Sequence, residues 1–258
     1  MTDITAPEQS EKTRLGQMLQ AKREVRKTKQ QEESAAEKNG IKDSVWGQYG
    51  HNYPDKVLDY NISLEEALIP LGINSLQEYL VRRKAQGLTT NVLDLMGGNP
   101  SFLRDLKKQI GSSLDHGLSV GLADDREAEF VKSDREARID AVSGDLMAKN
   151  TWERIDHWQK DNGVKHFDLI VSRGVDGNWL ISPLLYPFIF EEVWKRLSER
   201  GGLFVTQLSK AVEMKDLREM DSQLSKKCPG MRHYVSEHKI WGHFPTVAII
   251  RESQSTQR

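Results

Sequence analysis

The sequence predicts an α/β domain built on a mainly parallel sheet of about seven strands, with an antiparallel pair at its C-terminal end. From Asn91 onward, short apolar segments alternate with segments of helical periodicity, which is typical of strands joined by crossover helices. The last two apolar segments, near Tyr234 and at 246–250, are joined by a short loop and are therefore expected to pair antiparallel.

The elements of this domain follow from apolar runs, glycines and acidic residues that end each run. The predicted strands cover 91–95, 118–123, 139–143, 167–172, 203–208, a segment near Tyr234 and 246–250. The predicted helices between them cover about 101–110, 126–137, 152–161, 187–200 and 211–227. In the helix 152–161, Ile155 and Trp158 are predicted to face the sheet.

Residues 44–89 precede this domain and are predicted to cap its site. The segment 44–61 is rich in aromatic residues, which either pack over the domain or line a ligand site. Two short helices are predicted within 62–87, with Ser63 as the N-cap of the first and Ser75 as the N-cap of the second.

The two ends of the chain are polar. Residues 1–43 are rich in lysine and arginine with few apolar positions, which predicts a flexible or helical extension. The alternative is a basic arm that contacts RNA or an acidic partner. The domain is expected to span 90–252, and 253–258 form a polar tail.

Composition excludes several function classes. The 258 residues carry a net charge of −1, so a general electrostatic attraction to nucleic acid or to an anionic membrane is not indicated. Cys228 is the single cysteine, which favours a reducing compartment. The N-terminus does not resemble a signal peptide, and no apolar run has the length of a membrane span. A cytoplasmic protein without membrane association is expected.

The stretch N-V-L-D-L-M-G-G-N-P at 91–100 is the centre of the predicted site. Asp94 lies near the end of the first strand, and Gly97 and Gly98 let the backbone approach a ligand closely before the next helix. Polar residues also follow the next three strands, and the carboxyl ends of parallel strands meet at one edge of a sheet. These residues are Asp124 and Asp125, then Asp145, then Ser172 and Arg173.

The glycine pattern narrows the class of ligand. A dinucleotide site needs G-x-G-x-x-G and a P-loop needs G-K-[S/T] after a strand, and neither pattern is present. The remaining choice is a ligand without pyrophosphate but with a ribose, an adenine and a small charged end. An acid at the end of the second strand suits a ribose diol, because an ionised carboxylate accepts from two hydroxyls. The histidines have no ligand spacing, so no metal is expected.

At these motifs the sequence resembles the class I, Rossmann-like S-adenosylmethionine-dependent methyltransferases, over roughly 90–252. The resemblance rests on V-L-D-L-M-G-G-N-P (92–100), G-L-A-D-D (121–125), S-G-D-L (143–146), F-D-L-I-V-S-R (167–173) and R-G-G-L-F-V (200–205). It implies S-adenosyl-L-methionine as the cofactor and methyl transfer as the reaction. No strong catalytic motif is expected, because methyl transfer depends mainly on placing and aligning the acceptor.

The resemblance also implies roles for particular residues. Gly97 and Gly98 would pass the methionine end of the cofactor, and Asp94 would hold that loop and reach the amino group. Asp124, or else Asp125, would bind the ribose hydroxyls. The remaining contacts would be Asp145 to the adenine amine, the Leu146 N–H to a ring nitrogen, and Ser172 and Arg173 bordering the methyl-transfer site. The catalytic residues are not identified, and Ser172 and Arg173 are the candidates.

Two departures from the family pattern leave alternatives open. Met96 and Pro100 stand where the family loop usually has glycines, which favours a catalytically inactive binding or scaffold protein as an alternative. A further alternative is an RNA-modifying methyltransferase that uses the basic arm of residues 12–42. The methyl acceptor is not identified by the sequence, and a small molecule, an RNA and a protein are the alternatives.

Overall fold

The computed structural model describes residues 56–95, 97, 99–121, 124, 126, 128–146, 148–172, 186–208, 215, 218–219, 222, 226, 231–235 and 245–252. Three predicted regions therefore lie outside the described residues. They are the extension 1–43, the part of the aromatic segment at 44–55 and the tail 253–258. Most of the predicted helix 211–227 also lies outside them.

The described residues form one seven-stranded sheet. In chain order its strands are β1 (Asn91–Leu95), β2 (His116–Gly121), β3 (Ile139–Ser143), β4 (Leu169–Ser172), β5 (Gly202–Gln207), β6 (Met231–Val235) and β7 (Thr246–Arg251). Their order in the sheet is β3-β2-β1-β4-β5-β7-β6. The first five strands pair in parallel, whereas β7 is antiparallel to both β5 and β6. The predicted Rossmann-like, mainly parallel sheet with an antiparallel C-terminal pair is thus confirmed.

Helices cover both faces of this sheet. They are α1 (Val57–Leu68), α2 (Leu76–Ala85), α3 (Ser101–Ile110), α4 (Ala128–Glu136), α5 (Lys149–Asp161) and α6 (Tyr186–Arg196). Buried side chains of α1, α2 and α3 form one apolar cluster with β1, β4, β5 and β7. Buried side chains of α5 and α6 form a second cluster, which includes the predicted inward residues Ile155 and Trp158. The sheet is therefore buried on both sides, as a parallel sheet requires.

Local sequence signals predicted the bounds of three elements and placed most of the others to within a few residues. The bounds of β1, α3 and β3 are those predicted, and Ser75 caps α2 by accepting from the Glu78 N–H at 3.2 Å. The predicted cap at Ser63 is wrong, because α1 begins at Val57 and Ser63 lies inside it. Val57, Tyr60, Leu64 and Leu68 are buried on one helical face, so packing against the sheet extends this helix beyond its capping signal.

The second strand also differs from its prediction. It covers His116–Gly121 rather than 118–123, and His116 pairs with Asn91 of β1. His116 and Gly117 have little intrinsic strand preference, so pairing with β1 and β3 on either side determines where the strand begins. Asp124 consequently lies in the loop after the strand and not directly at its end.

A buried ion pair joins α2 to the amino ends of β1 and β4. Asp168 is fully buried, and its Oδ1 accepts from Arg83 Nη2 at 2.5 Å. Its Oδ2 accepts from the Asn91 N–H at 2.9 Å, and Arg83 Nη1 also donates to the Arg200 carbonyl at 2.6 Å. Both oxygens of Asp168 thus have donors, which offsets the cost of removing the carboxylate from water.

Tyr79 of α2 lies beside this pair and should make the protein less stable at alkaline pH. Its hydroxyl donates to the Gly201 carbonyl and, at 3.3 Å, to the Asp168 carbonyl. Burial raises the pKa of Tyr79 from 10.0 to about 12, although the positive charge of Arg83 opposes this shift. The unfolded chain loses this proton first as pH rises. The contribution of Tyr79 to stability is therefore complete below pH 10.0 and is lost between pH 10.0 and about 12.

Urea unfolding of the wild type and of Tyr79→Phe between pH 9 and 12 tests this expectation. The wild type should lose up to about 1.4 kcal/mol more per pH unit than the variant above pH 10. Other tyrosines and lysines titrate equally in both proteins, so they cancel in the difference. Parallel pH curves for the two proteins would contradict the expectation.

Candidate functional site

The candidate site lies at the carboxyl edge of the sheet, where β1 lies beside β4. The chain passes from β1 outward to β2 and β3 and then returns to β4 on the other side of β1. The strand order therefore reverses between β1 and β4, and a crevice outside the carboxyl ends of the strands is expected at this point. In α/β sheets this switch point is where ligands bind.

Asp94 is the buried acid below this crevice. It is in β1 and only 1% exposed, and its Oδ1 accepts from the Tyr60 hydroxyl at 2.9 Å. The Tyr60 ring stacks on Phe102 of α3, with ring centroids 4.0 Å apart. Tyr60 therefore fixes the carboxylate of Asp94 from α1 and belongs to the packed core, which is one of the two roles predicted for the aromatic segment.

Gly97 lies directly against Asp94. A Cβ atom added at Gly97 would come within 2.5 Å of Ser119 Oγ and closer still to Asp94 Oδ2. No other amino acid fits here without moving the loop or the two side chains below it. Ser119 is the neighbour of Asp94 on β2 and is fully buried. Gly97 thus lies low over the strand ends, and glycine is required at this position for steric reasons.

The rest of this loop leads into α3. Pro100 precedes the helix with φ −75°, a value that the proline ring allows, and the Arg104 N–H donates to the Pro100 carbonyl at 3.0 Å. Proline at this point therefore does not disturb the start of the helix. Met96 and Gly98 lie outside the described residues.

Asp124 occupies the loop between β2 and α4 and is bonded to Arg126. Arg126 donates from Nε to Asp124 Oδ1 at 2.8 Å and from Nη2 to Asp124 Oδ2 at 2.7 Å. This hydrogen-bonded guanidinium holds the pKa of Asp124 below its ordinary value, so the carboxylate is ionised at neutral pH. The Asp124 side chain is 35% exposed, whereas that of Arg126 is 8% exposed. Asp125 lies outside the described residues.

Arg126 belongs to a chain of charges that reaches the loop after β1. Its Nη1 lies 3.9 Å from Oδ2 of Asp134, a buried residue of α4. Arg104 of α3 donates to both oxygens of Asp134, at 2.7 and 2.8 Å. Arg104 Nη1 also donates to Asn99 Oδ1 at 2.7 Å. The loop that carries Asp124 and the loop that carries Gly97 are therefore connected through two arginines and one aspartate.

The loop after β3 is held by α5. The Thr151 hydroxyl donates to the Asp145 carbonyl at 2.7 Å, and Trp152 Nε1 donates to the Leu146 carbonyl at 2.8 Å. The Gly144 N–H donates to the Gly121 carbonyl at 2.7 Å, which joins this loop to the end of β2. Asp145 is thus brought to the same edge of the sheet as Asp94 and Asp124.

Ser172 ends β4 beside Leu95 and is 7% exposed. Arg173 and the loop that follows lie outside the described residues. In the described part of the chain, no group of three or more His, Cys, Asp or Glu side chains could hold a metal ion. None of the helices in the described residues has the length and apolar character that crossing a membrane needs.

The sequence predicts the acids at this edge of the sheet but not the side chains that donate hydrogen bonds to them. Tyr60 is 34 positions from Asp94, and Arg104 is 30 positions from Asp134, so neither contact has a local signal. The helical spacing of Val57, Tyr60 and Leu64 was the one available indication that Tyr60 faces the core. Arg126 is two residues from Asp124, and its N–H to Asp124 Oδ1 bond is the local contact of an Asx-turn, whereas the bonds from its side chain have no sequence motif.

Comparisons with known proteins concern the fold. No protein-family model matches the chain, and no curated protein sequence matches it significantly. A solved S-adenosylmethionine-dependent methyltransferase from Clostridium acetobutylicum is 12% identical, with 81% of this chain and 99% of that chain covered and a TM-score of 0.47. A SAM-dependent O-methyltransferase from Thermotoga maritima is 12% identical, with 78% and 72% covered and a TM-score of 0.39.

A mutein of the branched-chain polyamine synthase from Thermus thermophilus is also similar, at 12% identity, with 67% and 54% covered and a TM-score of 0.41. Similarity at these identities carries no information about the reaction. The order and direction of the strands define the chain as a Rossmann-like α/β protein, in which the switch point lies between β1 and β4.

Proposed function

We infer that this protein is an S-adenosylmethionine-dependent methyltransferase. The observation that carries the proposal is the loop at Gly97, which lies against Asp94 at the switch point and leaves no space for a Cβ atom. A backbone so close to the strand ends leaves the volume above it for a ligand. The same edge holds ionised Asp124, which suits ribose hydroxyls better than a pyrophosphate.

The residues present fit this cofactor. Gly97 would border its methionine end, while Asp94 supports the loop from below. Asp124 would accept from ribose hydroxyls. Asp145 and the Leu146 N–H would contact the adenine, on a loop that Thr151 and Trp152 hold in place.

S-adenosylmethionine, when bound, supplies an activated methyl group on a positively charged sulfur. The work left to the chain is to hold that methyl group close to the acceptor and in line with it. Ser172, at the end of β4, would border the acceptor side, together with Arg173. The proposed acceptor classes are a small molecule, an RNA or a protein, and the proposed location is the cytoplasm.

Calorimetry with S-adenosylmethionine and with S-adenosylhomocysteine tests the proposal without knowledge of the acceptor. The wild type should bind both compounds. Asp124→Ala should bind each about 10- to 100-fold more weakly, because it loses hydrogen bonds to a charged acceptor.

Asp161→Ala is the matched control, since Asp161 is an exposed acid at the far end of α5. It should bind like the wild type. Absence of binding by the wild type at millimolar ligand would refute the proposed cofactor. Equal binding by the wild type and Asp124→Ala would show that another residue contacts the ribose.

Once binding is established, transfer of a labelled methyl group distinguishes an enzyme from an inactive scaffold. The labelled cofactor would be incubated with the protein and with fractions of small molecules, RNA and protein. Transfer into one fraction identifies the acceptor class. A protein that binds the cofactor but labels none of the fractions would support the scaffold alternative.

A further inference from the structure

The carboxylate of Asp124 is largely occupied by Arg126. Among the described residues, its hydrogen bonds come from Arg126 and are three: the backbone N–H to Oδ1 at 3.2 Å, Nε to Oδ1 at 2.8 Å and Nη2 to Oδ2 at 2.7 Å. An ionised carboxylate offers about four acceptor positions. One position therefore remains, on Oδ2, whereas a ribose diol brings two hydroxyl donors.

The guanidinium of Arg126 has a second acid within reach on its other side. Nη1 is buried and has no hydrogen-bond acceptor among the described residues, and it lies 3.9 Å from Asp134 Oδ2. A hydrogen bond requires a separation of about 3 Å, so a movement of about 1 Å towards Asp134 would form one. Asp134 itself does not depend on Arg126, because Arg104 donates to both of its oxygens.

We propose that Arg126 competes with the ribose of the ligand for Asp124, and that full binding requires the guanidinium to move from Asp124 towards Asp134. This inference rests on the proposed cofactor. It makes Arg126 a residue that sets affinity without contacting the reacting atoms. The lowered pKa of Asp124 agrees with it, because the largest cause of that shift is the hydrogen bond from the Arg126 side chain.

The number of ligand hydroxyls provides a specific test. Arg126→Met removes the guanidinium and keeps an unbranched apolar side chain. It should bind S-adenosylhomocysteine about tenfold more tightly than the wild type by calorimetry, because both oxygens of Asp124 become available. An analogue without the 2′-hydroxyl needs only one acceptor position, so its affinity should differ by less than about twofold between the two proteins.

Three further variants make the test specific. Asp124→Asn combined with Arg126→Met should lose the gain, because the carboxylate is the acceptor in question. Arg126→Lys retains the charge and should gain less than Arg126→Met. Arg196→Met is the matched control, since Arg196 is equally buried, at 8% side-chain exposure, and pairs with Asp156 and Glu192 instead. It should leave the affinity unchanged.

Thermal unfolding of each variant shows whether it folds, and Arg126→Lys and Arg126→Gln replace Arg126→Met if that variant does not. A gain in affinity by Arg126→Met that is seen only for the ligand with both ribose hydroxyls supports the competition. Binding by Arg126→Met beside a wild type that does not bind supports it as well. Unchanged or weaker binding by a folded Arg126→Met, beside a wild type that binds, would overturn the competition and leave the proposed function intact. If neither the wild type nor Arg126→Met binds, the competition and the proposed function are both overturned.

Discussion

Asp168→Asn should lower the free energy of unfolding by about 3–5 kcal/mol. The substitution keeps the shape of the side chain and removes its charge. Arg83, which is 5% exposed, would then hold a buried positive charge without a counter-ion. Asn91 would also lose a charged acceptor for its N–H at the start of β1.

Urea unfolding monitored by circular dichroism measures this loss. Asp156→Asn is the matched control, because Asp156 also pairs with an arginine, Arg196, at 2.7 Å but is 54% exposed. It should change the free energy of unfolding by less than about 1 kcal/mol. Equal losses in the two variants would show that burial does not determine the strength of the Arg83–Asp168 pair.

Gly97→Ala should weaken the binding of S-adenosylhomocysteine by about a hundredfold, on the proposed function. The added methyl group would overlap Asp94 Oδ2 and Ser119 Oγ, so the loop must rise away from the strand ends. Both of these side chains are buried and cannot turn aside into solvent. The overlap should also cost about 1–3 kcal/mol of stability, as overpacking of a core does.

Gly117→Ala is the control for this variant. Gly117 lies at the opposite end of β2, and a Cβ atom there would meet the two terminal methyl groups of Leu103 at 3.2 and 3.3 Å. Those methyl groups can shift, and they lie away from the carboxyl edge of the sheet. Binding by Gly117→Ala should therefore stay within about twofold of the wild type. Wild-type affinity in a folded Gly97→Ala would show that the loop does not border the ligand.

Most of the architecture was predictable because its signals are local. Alternating apolar and helical segments require parallel strands with crossovers, and the right-handed crossover leaves few possible arrangements. The bounds of β1, α3 and β3 follow from short apolar runs that glycines or acids end. Ser75 caps α2 through an interaction that spans three residues. Local signals failed where packing outweighed them, as at Ser63 within α1.

The acids of the candidate site were predictable for a related reason. Parallel strands bring their carboxyl ends to one edge, so Asp94, Asp124 and Asp145 could be expected together from their places after strands. The hydrogen bond from Tyr60 to Asp94 could not be predicted, because the two residues are 34 positions apart in the chain. The side-chain bonds from Arg126 to Asp124 could not be predicted either, because only the backbone contact between them has a local motif. The buried ion pair of Arg83 and Asp168 could not be predicted either, because its two residues are separated by 85 positions.

The sequence by itself determined the class of fold and which acids lie at the carboxyl edge of the sheet, since both depend on periodicity and strand order. Only the tertiary structure decided how those acids are held. It buries Asp94 beneath Gly97 and bonds Asp124 to Arg126. The physical reason is that hydrogen bonds and steric contacts depend on distances of a few ångströms in space. Folding sets those distances for near and distant residues alike, so the order of residues along the chain does not reveal them.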